Sequence, residues 1–332
     1  MAKIKKISFS DIGNIKKLIS VVCSDNIINY RRLFFNSVPT TFLQNLFYSV
    51  HFRKLMETYV VSDNQDNLKG LISVKSQKGN PFKWHIKRLF LAPNSHELGK
   101  QLIEYIIAKF GARGVDTFVV AVDDHNNDLI DLFIKGCGFR FCSTEALWEV
   151  SNINFVTQQI DEKNFKMFKN SDAEKVLELY TDNLVSLYKY SLEKEKDEFV
   201  DSEFIGFSKV TAFKYIYEDE QSGEIKAYLK IQTIDNTNYF LDVILPVQYS
   251  DLYSMLLSFA VKKIVRRNKN FKLYIKNRRY FQSGDEIEEF LRNNRFKHLQ
   301  NNAILVRDFF KTVKQENSSF DEAVIFSGVE NI

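Results

Sequence analysis

Three groups of residues in this sequence have types and spacings that could do chemistry. The first is Val261–Tyr280, where nine basic residues (Lys262, Lys263, Arg266, Arg267, Lys269, Lys272, Lys276, Arg278 and Arg279) occur with no acidic one, and Phe271, Tyr274 and Tyr280 lie among them. Cations neutralise phosphates and rings stack on bases, so one reading is a surface for nucleic acid or another acidic partner. The other is a solvated helix face followed by a strand charged on its outward side, with acidic counterweights at Glu193–Glu203 and Asp285–Glu289. The second group is Asp123-Asp124-His125, residue types that can accept a proton and that also suit a polar turn. The third is His85, alternating with Trp84 and Ile86, either a proton acceptor or a solvent-facing side chain. Cys23, Cys137 and Cys142 are too few and too oddly spaced for a disulfide framework, and no Cys-x-x-Cys or His-x-x-x-His pattern accompanies them. They read as buried or idle thiols, and no metal site is expected.

Length and composition bound what must hold these groups. A chain of 332 residues exceeds one ordinary domain of ~100–200, so two modules are the first expectation. With 45% hydrophobic and 14% aromatic residues against 12 Gly and 4 Pro, the chain can fill real cores and is globular. The net charge of +4 is too mild to select a partner. The N-terminus carries charge but no apolar core of signal-peptide length, and nowhere do 18 uncharged apolar residues run together, so no membrane partner and a cytoplasmic location are expected. Nothing in the sequence sets an oligomeric state.

Residues 1–150 alternate strand-like and helix-like segments, the pattern of an α/β domain. Lys3–Ser8 reads as a strand, and Ser10-Asp11 offers an N-cap to a helix with Ile12, Ile15, Leu18 and Ile19 on one face. Leu43, Leu46, Phe47 and Val50 suggest helix within 26–56. Strands are expected at Thr58–Ser62, Lys69–Val74 and Lys83–Leu91, the last ending at Pro93, which cannot donate to a ladder. A helix over about His96–Phe110, a β-branched strand Val115–Val122 and a short helix Asn127–Lys135 stopped by Gly136 and Gly138 follow. Phe139–Cys142 and Ala146–Val150 are expected to close the domain as a hairpin.

The same order returns after a polar connector at 151–163. Ser10-Asp11 recurs as Ser171-Asp172, and strand Tyr239–Leu245 ends at Pro246 as Lys83–Leu91 ends at Pro93. Asp11 to Pro93 is 82 residues and Asp172 to Pro246 is 74; Pro93 to Phe139 is 46 and Pro246 to Phe296 is 50. Each half ends in short strands, Ala146–Val150 matched by Ala303–Val306. The expected organisation is a module at 1–150, the connector, a second module at 164–310 and a polar tail at 311–332.

The segment Trp84–Val150 resembles the GCN5-related N-acetyltransferase (GNAT) family. The resemblance rests on the strand HIKRLFLAP, the helix HELGKQLIEYIIAKF, the strand VDTFVVAVDD, and Asn127 twelve residues before the Gly138-Phe139 turn. It implies an α/β fold with a mixed sheet, two consecutive acyl-CoA N-acyltransferase-like domains, and acetyl-CoA or another acyl-CoA as co-substrate. In the family the strand before the helix splays from its neighbour and its exposed backbone pairs with the pantetheine arm, which assigns that arm to Phe90, Leu91 and Ala92. The next turn and helix start cradle the pyrophosphate, because unpaired N–H groups and the helix dipole favour an anion. That role falls to Leu98, Gly99 and Lys100, with Asn127 meeting the cofactor near the splay or serving as a helix cap in rivalry with Asn126.

Two departures stand out. The turn Asn94–Lys100 keeps one glycine where the family usually has two, and sets Glu97 where an anion would lie. The family's thiolate-protonating tyrosine falls at Ile134, which has no proton to give, and Tyr105 has no spacing that supports it as a replacement. The resemblance implies acyl transfer to a primary amine, small-molecule or protein, by direct attack in a ternary complex, with His85, Asp124 and His125 as candidate bases. The second copy keeps the frame without the motif: Pro246-Val247-Gln248-Tyr249-Ser250-Asp251 has no glycine, and Arg295-Phe296 replaces Gly-Phe. It would shape the acceptor site or the interface between modules. The rival readings are a non-catalytic scaffold, with the basic 261–280 stretch as its contact surface, and transfer from a charged tRNA.

Overall fold

A computed structural model describes residues 3–22, 56–150, 162–201 and 210–309. Nearly all of the stretch 26–56 read as helical, most of the connector and the tail lie outside the described residues, as does Cys23. Cys137 and Cys142 are buried free thiols.

Among the described residues twelve strands, β1 (Lys3–Lys6), β2 (Glu57–Ser62), β3 (Leu68–Gln77), β4 (Asn80–Leu91), β5 (Thr117–Asp123), β6 (Arg140–Glu149), β7 (Phe165–Met167), β8 (Thr211–Glu218), β9 (Ile225–Thr233), β10 (Asn238–Ile244), β11 (Lys272–Arg278) and β12 (Lys297–Asp308), form one sheet. Its order is β1-β2-β3-β4-β5-β12-β6-β11-β10-β9-β8-β7. Two pairs are parallel, β4 with β5 and β10 with β11, at corresponding places in the two halves. A parallel neighbour needs a crossover connection, and it is supplied by α2 (His96–Gly111) in the first half and α6 (Tyr253–Val265) in the second. These two helices share a face of the sheet. Leu102, Ile103, Ile106 and Phe110 of α2 pack on Ile72, Val74, Ile86 and Val120; α6 and α7 (Gly284–Asn293) pack on Leu229, Leu241, Ile275 and Trp148. The other face carries α1 (Ile12–Val22) and α4 (Ala173–Asn183), packed through Ile15 and Leu18 in one case and Val176 and Tyr180 in the other. With helices on both sides, β5 (TFVVAVD) buries nearly every residue, as its β-branched run anticipates.

The duplication is visible at the level of single bonds. Asp11 Oδ2 accepts the Ser8 N–H at 2.8 Å and Asp172 Oδ2 accepts the Lys169 N–H at 2.8 Å, closing the same helix-entry turn in each half.

One expectation is corrected. The hairpin over Phe139–Val150 is a single strand, β6, and Ala303–Val306 belongs to the long β12. Neither half closes its own sheet. β6 leaves the first half and pairs with β11 of the second, while β12 returns to pair with β5 of the first, and the two lie antiparallel to each other at the centre. A strand that finds two neighbours elsewhere has no edge to cover by turning back on itself, so the hairpin is not needed.

Candidate functional site

The β4–β5 ladder runs for four pairs, Lys83–Ile86 against Thr117–Val120, and stops although both strands continue to Leu91 and Asp123. The cause lies on the other side of β4. Against β3, Ile86 faces Val74 and Arg88 faces Ser73, so Lys87 is an extra residue, a β-bulge. A bulge bends its strand and raises the local twist, and here it turns β4 away from β5. Beyond Ile86, the edge of β4 facing β5 has no strand partner among the described residues.

Phe90, Leu91 and Ala92 form the end of the diverging strand, Phe90 toward α1 and Leu91 toward α2. The chain turns through Asn94 at φ 57 and enters α2, whose start has no side-chain cap. Gly99 lets that start approach the strand: a Cβ there would sit 2.5 Å from Leu91 Cδ1 and 3.2 Å from Leu132 Cδ2. Gly99→Ala is therefore expected to displace Leu91 and the first turn of α2 and to cost about 1–3 kcal/mol, read by thermal or denaturant unfolding. Leu98 is half-buried against the same core, Lys100 is half-buried, and Glu97 is exposed, within 3.4 Å of Gln101 one turn on. At the other lip Asn126, not Asn127, caps α3 (Asn127–Asp131), its side chain accepting the Leu129 N–H at 3.1 Å, so Asn127 is left exposed at the first helical position.

The three candidate bases separate. Asp124 and His125 pair with each other at 2.7 Å past the end of β5, with His125 largely exposed. With Asp123 they could converge on a cation, and they lie outside the cavity described next. His85 does not face solvent. Of the half-buried residues on β4, Trp84 stacks on Phe110 toward α2, 4.1 Å between ring centres, and His85 points to the opposite face, into a cavity of about 330 Å³. Tyr105 is far down α2, edge-on to Tyr59 and taking a hydrogen bond from Lys109 at 3.2 Å; Ile134 packs into the core beneath α2.

The cavity lies on the face away from α2, across the point where the ladder ends: the pair His85 and Val119, then Lys87 of β4 and Ala121 of β5 just beyond it. Its opposite wall belongs to the second half, through Tyr180, Leu192, Lys194 and Glu198, and its floor includes Glu145 of β6, Lys276 and Arg278 of β11 and Asn302 of β12. That wall is tied down across the halves. Lys83 Nζ donates to Tyr190 O at 3.0 Å, the Lys78 N–H to Glu198 Oε1 at 2.6 Å, and Arg140 to Ser191 Oγ at 2.7 Å. The strand exchange is what brings Glu145 and Asn302 to the same place.

Electrostatically the cavity is basic. Burial, and then the charges of Lys87, Lys83, Lys194 and Lys75, hold His85 well below the usual imidazole range, so it is neutral at pH 7. Burial and then Arg278 bring Lys194 down to about 7, against the opposing pull of Asp242; its ammonium faces the Tyr180 ring at 4.5 Å and the Phe199 ring at 5.4 Å. Arg278 forks onto Asp242, Nη2 to Oδ2 at 2.6 Å and Nη1 to Oδ1 at 2.5 Å. Burial opposes the charged form of Asp242, yet Arg278, Lys276 and Lys194 keep its carboxyl ionised. Because the folded state depresses Lys194, it binds fewer protons than the unfolded chain between the two pKa values, and stability gains with pH across that window. Lys194→Met should then stabilise the fold most at or below pH 7 and lose that gain as pH approaches ~10, measured by denaturant unfolding at both ends.

The second half does not repeat the opening. β10 meets β9 without a bulge and β11 over five pairs, and the Arg278–Asp242 fork closes the strand ends. A kinked 3₁₀ turn, Val247–Leu252, precedes α6. Nor does Val261–Tyr280 make one basic surface. Lys262, Lys263 and Arg266 converge on Glu162, Arg267 lies over Phe213, Arg279 forks onto Glu288, and Arg278 is buried. Tyr274 and Tyr280 are 1% and 6% exposed and Phe271 packs on Tyr239, so the rings that would stack on bases serve the core. Lys269 and Lys272 remain exposed.

The sequence missed the Lys87 bulge, the cavity, and Lys194, Glu145 and Tyr180 within it. Lys194 sits in an acidic run and carried no signal of burial; the alternation of β6 could have shown Glu145 sharing a face with the buried Leu147.

A mixed sheet with a bulged strand splaying from its parallel neighbour above a helix start is the arrangement that the resemblance to the GNAT family implies. Residues 26–139 match the model of the acetyltransferase (GNAT) family, so this part of the chain is a GNAT domain and the chain as a whole has the tandem GNAT fold. Among solved structures, a tandem GNAT protein from the clavulanic acid biosynthesis pathway is 9% identical, with 93% of this chain and 98% of that one covered at a TM-score of 0.62. A GCN5-related N-acetyltransferase from Sphaerobacter thermophilus is 10% identical, covering 92% and 95% at 0.58. The Saccharomyces cerevisiae N-myristoyltransferase with bound myristoyl-CoA and inhibitors is 14% identical, covering 92% and 80% at 0.55. At these identities the likeness is one of fold. No curated protein matches the chain. No helix among the described residues is long and apolar enough to cross a membrane.

Proposed function

We propose that the protein is an acyl-CoA-dependent N-acyltransferase that moves an acyl group, acetyl in the first instance, to a primary amine at the β4–β5 splay of its N-terminal half. The observation that carries this reading is the bulge at Lys87, which ends the ladder at Ile86–Val120 and frees the β4 edge beside a helix start with no side-chain cap. The residues fit the co-substrate. Along Phe90, Leu91 and Ala92 the Ala92 N–H is given to Lys69 O at 2.8 Å, which leaves the Leu91 backbone to a pantetheine arm; at the start of α2 the Gly99 N–H is given to Ser95 O at 2.9 Å, which leaves the Leu98 N–H with the Lys100 ammonium to a pyrophosphate, and the exposed Asn127 amide to the opposite lip. Glu97 weakens this cradle by its charge and Lys100 offsets it.

In the ternary complex the free amine attacks the thioester carbonyl, the C–N bond forms, and the C–S bond breaks to release the CoA thiolate. His85, neutral and at the splay, is the base we assign for the amine proton. With isoleucine at position 134 the thiolate leaves unprotonated, forgoing the ~10²–10⁴-fold that a general acid typically contributes. The second half supplies the far wall of the acceptor cavity.

Calorimetric titration with acetyl-CoA tests the reading. Saturable binding, weakened by Gly99→Ala and by Asn127→Ala, is expected; absence of heat up to about millimolar concentration, a binding free energy less favourable than ~−4 kcal/mol, would leave the fold as a scaffold without a donor.

A further inference from the structure

If the splay is the transfer site, the junction cavity selects the amine. We propose that the acceptor is a small primary amine that also carries an oxyanion, a carboxylate or a phosphate, with Lys75 and Lys194 holding the oxyanion while the amine lies beside His85.

Five lysine and arginine side chains line the cavity against two carboxylates, and of these Glu145 is already engaged by charged and hydroxyl side chains. Glu145 accepts the Tyr280 hydroxyl at 2.6 Å and pairs with Lys276 at 3.3 Å; Glu198 accepts the Lys78 N–H at 2.6 Å. Among the described residues neither Lys75 nor Lys194 forms an ion pair, although both are largely withdrawn from water and burial lowers the pKa of each. Glu198 offsets part of the charge at both, but ammonium groups held out of water without a paired carboxylate are costly, and an arriving oxyanion recovers that cost. A plain alkylammonium entering the same field meets net repulsion. An amine that brings its own negative charge is neutral overall, and the surrounding cations then favour its free-base form, the one that attacks. The cavity volume of about 330 Å³ is that of a metabolite site, toward the small end of the roughly 300–1,000 Å³ of such pockets.

The test is calorimetry on the full chain with 4-aminobutyrate, 2-aminoethyl phosphate and n-butylamine as probes, beside a separate titration with acetyl-CoA. At least one anionic amine should bind about tenfold or more tighter than n-butylamine, and the tighter of the two identifies the oxyanion. Lys75→Gln with Lys194→Gln should erase the preference and leave acetyl-CoA binding unchanged, and the charge-keeping pair Lys75→Arg with Lys194→Arg should retain it. The proposal is overturned if n-butylamine binds as well as the anionic probes, if none of the three binds, or if the preference survives in the glutamine variant. Loss of acetyl-CoA binding with the preference intact would instead sink the transferase reading and leave the oxyanion site standing.

Discussion

A chain ending after residue 150 is expected to show no cooperative unfolding transition, and a chain beginning at 151 is expected to show none either, while the two mixed should regain one. Each fragment carries a complete set of helices and strands in sequence, so a reading by modules would predict two folded products. The sheet argues otherwise. Without β12, the buried face of β5 loses Ala303, Ile304, Leu305 and Val306, and without β6, β11 loses its neighbour from Glu145 to Glu149. β6 itself, with Ala146, Leu147 and Trp148 at 1–3% exposure, would have no partner on either edge in the first fragment. Domains have only ~5–15 kcal/mol to lose, and stripping a central strand from each half removes more than that. Circular dichroism during thermal denaturation of the separate and mixed fragments decides it; a sharp transition in either fragment alone would show that the exchanged strands are dispensable.

The second large effect is expected at Asp242. Replacing it with Asn should destabilise the protein by about 3–5 kcal/mol, because Arg278, 3% exposed, would lose the carboxylate that it holds by one hydrogen bond and one further close ion-pair contact. Glu145 lies 3.9 Å from Arg278 Nε and is shared with Lys276 and Tyr280, so it cannot take over. The same pair replaced together, Asp242→Leu with Arg278→Met, should recover much of the loss, since a buried ion pair exchanged for apolar groups of similar volume is often neutral or better. A chemical-denaturation cycle over the two single variants and the double reads this directly. A loss below about 1 kcal/mol for Asp242→Asn would mean that water reaches the pair and that the strand ends in the second half are open after all.

How far the sequence carried can be judged on particular residues. The helix read over His96–Phe110 is found over His96–Gly111, and the strand read over Lys83–Leu91 is found over Asn80–Leu91. Both rest on patterns a few residues long, apolar spacing in one and a terminating proline in the other. The rivalry between Asn126 and Asn127 for the cap could not be settled from composition, because adjacent amides differ only in which backbone N–H they reach. Lys87 was unremarkable for a related reason: a bulge is a mismatch between two strands, and the sequence of one strand does not contain the register of the other. Val261–Tyr280 offered two readings, a contact surface and a charged solvated face with acidic counterweights, and Arg279 on Glu288 agrees with the second. Its charges are real, but most of them face carboxylates supplied by segments far along the chain.

By itself, then, the sequence determined the order of strands and helices, their repetition in two halves, and the likeness of Trp84–Val150 to an acyltransferase frame, all properties carried by neighbouring residues. The tertiary structure alone decided that β6 and β12 change places, that β4 breaks from β5 at Lys87, and that Lys194 of one half faces His85 of the other. The physical reason is common to all three. Strand pairing, desolvation and the field at a buried ammonium are set by groups on average far apart in the chain, and local pattern holds no record of which distant surface will exclude the water.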